Sequence, residues 1–130
     1  MRGSYQRDFV IANLADDLIE EMELLTGNRE DRTPRFPRRT YNTIVPRLMN
    51  NALTIQENVI LANNKPLWNA KRRELQDDAI SRCEILEHLL RIVAKKGWIS
   101  EKQRDRIISK TAKLAVKIRN WIASDETRSG

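Results

Sequence analysis

The chain has 130 residues, 32% of them charged and 5% aromatic, with a formal net charge of +6 and one cysteine. This length indicates one domain, and the scarcity of glycine and proline, with four of each, favours helices. The single Cys83 excludes a disulfide within the chain and is typical of a reducing compartment. No apolar run approaches the roughly 20 residues that span a bilayer, so we predict a cytoplasmic protein without membrane segments.

The first predicted helix runs from about Gln6 to Thr26, with apolar residues at spacings of three and four. Gly27-Asn28 supplies residues that commonly end a helix. Residues 8–23 contain six carboxylates and no Lys or Arg, so this helix is acidic. Residues 1–5 are predicted to be a leader that is disordered or derived from a vector.

A basic loop is predicted to follow, over residues 28–39. Pro34 and Pro37 restrict the residues before them, and the loop has no helical repeat. Phe36 is its one apolar anchor. The arginines that we consider for contact with a polyanion are Arg35, Arg38 and Arg39.

The second and third helices are predicted over about Thr43–Ala62 and Leu67–Lys95. Pro46 is compatible with a helix only near its first turn, which places the start of the second helix within residues 41–45. Trp68 is predicted to lie on the inner face of the third helix, together with Leu75, Ala79, Leu86 and Leu90. Gly97 ends that helix, and Trp98 and Ile99 are expected to fold back onto the core.

The fourth helix carries two stripes and is the most informative segment. Ser100 and Gln103 fit a capping box at its start, and we predict that the helix ends near Ala123. Its apolar residues fall within an arc of roughly 140° on a helical wheel. A separate arc of roughly 80° holds five cations. This cationic ridge consists of Lys102, Arg106, Lys110, Lys113 and Lys117.

These elements predict an all-α fold, an up-down-up-down antiparallel four-helix bundle over residues 6–123. Residues 124–130 are expected to be a frayed tail. The ridge and the loop arginines indicate a surface for a partner that carries phosphates, RNA or possibly DNA. The same charges fit an acidic protein equally well, so a scaffold without any nucleic-acid role remains the alternative.

Catalytic and metal-binding patterns are weak, and we predict a protein that is not an enzyme and needs no metal or cofactor. His88 is the only histidine, and Cys83 lies about 140° from it on the wheel, which excludes a dyad within the helix. A di-iron site of the four-helix bundle type needs two Glu-x-x-His pairs, and the chain has one histidine.

Several short segments resemble a family of small bacterial four-helix bundle proteins. Phe36-Pro37, Leu48, Ala52, Thr54-Ile55 and Asn58-Val59 are similar to its second-helix signature, and Gly97-Trp98-Ile99 to its glycine-aromatic-aliphatic turn. The family includes proteins encoded by intervening sequences of large-subunit ribosomal RNA genes. It also includes Avd, the accessory variability determinant of diversity-generating retroelements.

The Avd branch is favoured by the ending Trp121-Ile122-Ala123 and by residues 58–62, Asn-Val-Ile-Leu-Ala, where the broader family has Asn-Ile-Ala-Glu-Gly. The resemblance implies a homopentamer, with five bundles around a central pore. It also implies a noncatalytic partner of a reverse transcriptase that binds nucleic acid and supports mutagenic copying of a template RNA. We further expect the acidic first helix to face the basic fourth helix of a neighbouring subunit.

Overall fold

The chain forms four α-helices in a computed structural model that describes the backbone of residues 2–129 and the side chains of residues 10–128. The described backbone contains no β-strand, so the predicted all-helical fold is confirmed. A short 3₁₀ helix, Arg38–Thr40, lies between the first two helices. The helices are α1 (Arg2–Thr26), α2 (Ile44–Asn63), α3 (Ala70–Lys95) and α4 (Glu101–Ser129).

The four helices pack as a bundle in which each contacts two neighbours. Helix α2 lies against α1 and α3, and α4 lies against α3 and α1. Arg73 of α3 pairs with Glu126 of α4. Glu84 lies eleven residues after Arg73 on α3, and its partner Arg119 lies seven residues before Glu126 on α4. The two helices therefore run antiparallel, as an up-down-up-down bundle requires.

The core follows the axis of the bundle and is formed by the predicted apolar stripes. Ile11, Leu48, Leu86 and Ile118, one from each helix, are completely buried. Burial of an aliphatic side chain of this size stabilises the folded chain by about 1.5–3 kcal/mol. Cys83 also belongs to this core, packed as a small apolar residue.

Local signals at three helix ends agree with the structure. Helix α2 begins at Ile44, so Pro46 lies in its first turn. The capping box of α4 is formed: the Ser100 Oγ accepts from the Gln103 N–H at 3.0 Å, and the Gln103 Oε1 accepts from the Ser100 N–H at 2.8 Å. After α3, Gly97 has a φ of 79°, and the Trp98 N–H donates to the Val93 carbonyl at 3.1 Å. This is a Schellman ending, in which glycine takes the left-handed conformation at no steric cost.

The predicted start of the third helix at Leu67 is wrong. The helix begins at Ala70 because the Asn69 side chain accepts from the Lys71 N–H at 2.9 Å and caps it. Trp68 therefore lies in the turn before the helix and is 83% exposed instead of facing the core.

The first and last helices are both longer than predicted. Helix α1 begins at Arg2, and Met1 lies outside the described residues, so the origin of residues 1–5 as a leader stays a prediction. The fraying expected of residues 124–130 stays a prediction, but the predicted end of the fourth helix near Ala123 is wrong, because α4 continues to Ser129. The physical reason is that Asp125 forms an ion pair with Arg72 on α3, which holds the last turns of α4 against the bundle.

Candidate nucleic-acid interface

The cationic ridge of α4 is exposed along its length, but its five cations have different surroundings. Lys102, Lys113 and Lys117 form no ion pair with any other described side chain. Arg106 and Lys110, in the middle of the ridge, both pair with Glu21 of α1. The ridge is therefore a row of three cations without ion pairs to described side chains, interrupted by two that share the one carboxylate of Glu21.

Glu21 lies at the junction between α1 and α4, with only 8% of its side chain exposed. The Arg106 Nη2 lies 3.2 Å from its Oε1, and the Lys110 Nζ lies 3.0 Å from its Oε2. Both carboxylate oxygens are thus in contact with cations, as a carboxylate removed from water requires. The pairing also means that the acidic first helix and the basic fourth helix meet within one chain at this point. The expected match between neighbouring subunits must therefore depend on other residues.

The predicted loop arginines lie beside two aromatic rings at one end of the bundle. Phe36 is 2% exposed and packs edge-on against Trp98, with ring centroids 6.0 Å apart. The Arg39 guanidinium lies over the Trp98 ring at 5.9 Å, a cation–π contact. Arg38 is exposed. The predicted anchoring role of Phe36 is confirmed.

Arg35 is half-buried, and its Nε has no hydrogen-bond partner among the described atoms. Arg35 is therefore less accessible to a polyanion than Arg38 and Arg39, which are exposed.

The loop and the first turn of α4 meet at this same end, because Trp98 contacts Phe36 and Arg39 and precedes Lys102 by four residues. Lys102 and Lys117 are fifteen residues apart on α4. At 1.5 Å per residue, this corresponds to about 22 Å along the helix axis. The predicted residues therefore form a band from the loop end of the bundle down one side of α4.

A second charged cluster, at the other end of the bundle, was missed by the sequence reasoning. The Asp125 carboxylate accepts from the Arg72 Nε at 2.7 Å and Nη2 at 2.9 Å, and from Gln76 and Arg128 at 2.9 Å each. Burial of Asp125 raises its pKa, but the hydrogen bonds from Arg72, Gln76 and Arg128 outweigh it, and the net pKa is lowered. The Arg72 guanidinium also lies 5.2 Å from the Trp121 ring. This cluster has a structural role, because its charges are paired with each other.

Among the described residues, the other polar groups form neither a metal cluster nor an activated nucleophile. Within the part of the chain whose side chains are described, no group of three or more His, Cys, Asp and Glu residues is placed to hold a metal ion. Burial raises the pKa of the Cys83 thiol to about 12, which disfavours the thiolate that a nucleophile requires. Beside Trp68 lies a depression of about 150 Å³, smaller than the roughly 300–1,000 Å³ of typical small-molecule sites. A second depression, of about 360 Å³, is shallow and has Arg73, Asp77 and Arg119 in its lining. The expectation that the chain is not an enzyme stays a prediction.

No protein-family model, curated protein or solved structure matches the chain. Among the described residues, no helix is both long enough and apolar enough to cross a membrane.

Proposed function

We propose that the protein is a noncatalytic accessory factor of a diversity-generating retroelement, which binds nucleic acid and a reverse transcriptase. The observation that carries the nucleic-acid part is the presence of Lys102, Lys113 and Lys117 on one side of α4, exposed and without ion pairs to described side chains. Unpaired lysines on a well-packed helix are available to phosphates at little conformational cost to the fold.

The expected mode of contact is with phosphates. A lysine is a point charge that neutralises a phosphate and releases its counterions, so binding weakens steeply as salt rises. Base recognition would require side chains that read base edges or stack on them. Three aromatic residues lie near the basic end: Phe36 is buried, Trp98 contacts both Phe36 and Arg39, and Tyr41 is 43% exposed. With one exposed ring among the three, the band favours positioning of a nucleic acid over reading of its sequence.

The reverse transcriptase and the assembly enter the proposal through the resemblance to Avd. A homopentamer would repeat the cationic band five times around a ring. Such a ring raises the effective concentration of template RNA next to the polymerase without adding new chemistry. In this arrangement the protein supports cDNA synthesis by holding the two together.

Nucleic-acid binding is tested by replacing Lys113 and Lys117 together with Glu and measuring affinity for a generic RNA at several salt concentrations. Lys110 is left unchanged, because a glutamate there would face the buried carboxylate of Glu21. The control replaces Lys65 and Lys71, at the opposite end of the bundle, and changes the net charge equally. We expect loss of binding in the first variant only. Equal binding by both variants, or binding that ignores salt, would contradict the proposal.

The accessory role is tested by reconstitution with the reverse transcriptase and template RNA of a diversity-generating retroelement. We expect the yield and error rate of cDNA synthesis to depend on the protein. The Lys113/Lys117 double variant should suppress that synthesis while the assembly, measured by sedimentation, stays intact. Equal yield and equal error rate with and without the protein would eliminate the accessory role.

A scaffold for an acidic protein is the second candidate, and one contact favours it. Arg106 and Lys110 bind the carboxylate of Glu21, so the same ridge has geometry suited to carboxylates. A pull-down from a nuclease-treated lysate distinguishes the two functions. Capture of an acidic partner, combined with no shift of RNA mobility, would favour the scaffold.

A further inference from the structure

The side chains in the contact between Glu21 and the ridge differ in their exposure to solvent. The Glu21 side chain is 8% exposed, whereas those of Arg106 and Lys110 are 56% and 48% exposed. The carboxylate is fixed on the inner side of the α1–α4 junction, and the two cations reach it from the outer side. The cations are therefore exposed at the surface, but the carboxylate of Glu21 offsets one of their two charges from inside the bundle.

A phosphate that approached Arg106 and Lys110 would have to compete with this carboxylate. Moving the cations outward would leave Glu21 buried without a counter-charge, which is strongly unfavourable. A phosphate placed against the intact pair would also meet the negative charge of Glu21 behind it. Both effects act against phosphate binding in the middle of the ridge.

We propose that Glu21 divides the ridge into two phosphate-binding positions, Lys102 on one side and Lys113 with Lys117 on the other. Lys102 and Lys113 are eleven residues apart, about 16 Å along α4. The inference rests on the proposed nucleic-acid binding and deepens it, because it states which cations contact phosphate and which do not. Glu21 acts as an internal competitor that limits the affinity of the protein for a polyanion.

The first test replaces Glu21 with Gln, which keeps the size of the side chain and removes its charge. Arg106 and Lys110 then become available, so up to two phosphate contacts are added. For single-stranded RNA each contact contributes about −0.7 to the slope of log K against log salt concentration. The slope should steepen by about 0.7–1.4, and affinity for a poly-uridine RNA at 0.1 M salt should rise about 5–25-fold.

Glu20→Gln is the matched control, because Glu20 is the exposed neighbour on α1 and lies outside the Glu21 contact. It changes the net charge by the same amount but releases no cation of α4. We expect its salt slope to equal that of the unmodified protein. The triple variant Glu21→Gln/Arg106→Gln/Lys110→Gln should lose the gain and return to the slope of the unmodified protein.

A second test does not depend on how well a Glu21 variant folds. Lys110→Gln leaves Arg106 in contact with Glu21, and Lys113→Gln removes a lysine one turn of helix away. Lys113→Gln should weaken RNA binding about 5-fold at 0.1 M salt, whereas Lys110→Gln should weaken it less than 2-fold. Circular dichroism checks that all variants retain their helicity.

The outcomes separate this inference from the function on which it rests. If the unmodified protein does not bind poly-uridine RNA, the proposed nucleic-acid function fails and the inference fails with it. If it binds with salt dependence, but Glu21→Gln behaves like Glu20→Gln or Lys110→Gln weakens binding as much as Lys113→Gln, only the inference is overturned.

Discussion

Replacement of Asp125 by Ala tests whether the last turns of α4 are held in place by the charged cluster. The change removes the partner of Arg72, whose side chain is 8% exposed, and breaking a buried ion pair costs about 3–5 kcal/mol. Arg72 keeps some compensation, because it still donates to the Lys65 carbonyl at 3.0 Å and lies over the Trp121 ring. We therefore expect the lower end of that range, a loss of about 3 kcal/mol in the free energy of unfolding, measured by urea denaturation.

Glu84→Ala provides the matched control, because Glu84 also joins α3 to α4, through Arg119 at 3.4 Å. Both of those side chains are more than half exposed. A pair in water contributes about 0.2–1 kcal/mol, so this variant should lose far less stability. A loss below about 1 kcal/mol for Asp125→Ala, or equal losses for the two variants, would refute the reasoning and favour a frayed end of α4.

The same carboxylate gives a dependence on pH with a defined sign. The pKa of Asp125 is lowered in the folded protein, so its contribution to stability is present above the unfolded pKa near 3.8. That contribution is lost as the pH falls through the lower, folded pKa. In urea titrations, the stability difference between the unmodified protein and Asp125→Asn should therefore be constant near neutral pH and shrink below about pH 4.

Three further substitutions or reactions test the core and one turn. Trp121→Ala should lower the free energy of unfolding by about 3–5 kcal/mol, since the side chain is completely buried. Trp121→Phe should lower it less, because the indole Nε1 has no hydrogen-bond partner among the described atoms. Urea denaturation compares the two variants, and equal losses would contradict the packing argument. Gly97→Ala should lower the free energy of unfolding by about 1–2 kcal/mol through the φ of 79° alone, because no atom lies within 4 Å of the added Cβ. A change in melting temperature no larger than that of an Ala substitution at an exposed helix position would be inconsistent with the left-handed turn. Cys83 should react with a thiol reagent at neutral pH only after unfolding, given its complete burial and its pKa of about 12; rapid labelling of the native protein would show otherwise.

Most of the fold could be predicted because local signals and apolar spacing agree with each other. The capping pair Ser100 and Gln103 and the position of Pro46 specify helix starts through backbone chemistry that does not depend on the rest of the chain. The errors have two causes. Trp68 has the spacing of a core residue, but the local cap at Asn69 places it before the helix, whereas the end of α4 depends on the tertiary contact between Arg72 and Asp125.

The candidate site was predicted only in outline. Wheel positions identify which cations share a face of α4, but they carry no information on the neighbouring helix. Glu21 has the same sequence neighbourhood as the exposed Glu20, and only packing of α1 on α4 distinguishes them. Asp125 was likewise missed, because its partner Arg72 is fifty-three residues away in the sequence.

The two ends of the bundle are closed by different kinds of interaction, and this gives them different sensitivity to acid. The Phe36–Trp98 contact contains no titratable group, whereas the opposite end depends on the carboxylate of Asp125. Protonation of Asp125 therefore weakens this end of the bundle and leaves the Phe36–Trp98 contact unchanged. Amide hydrogen exchange below about pH 4 should detect this as local opening of residues 124–128, with protection retained in the middle of α4.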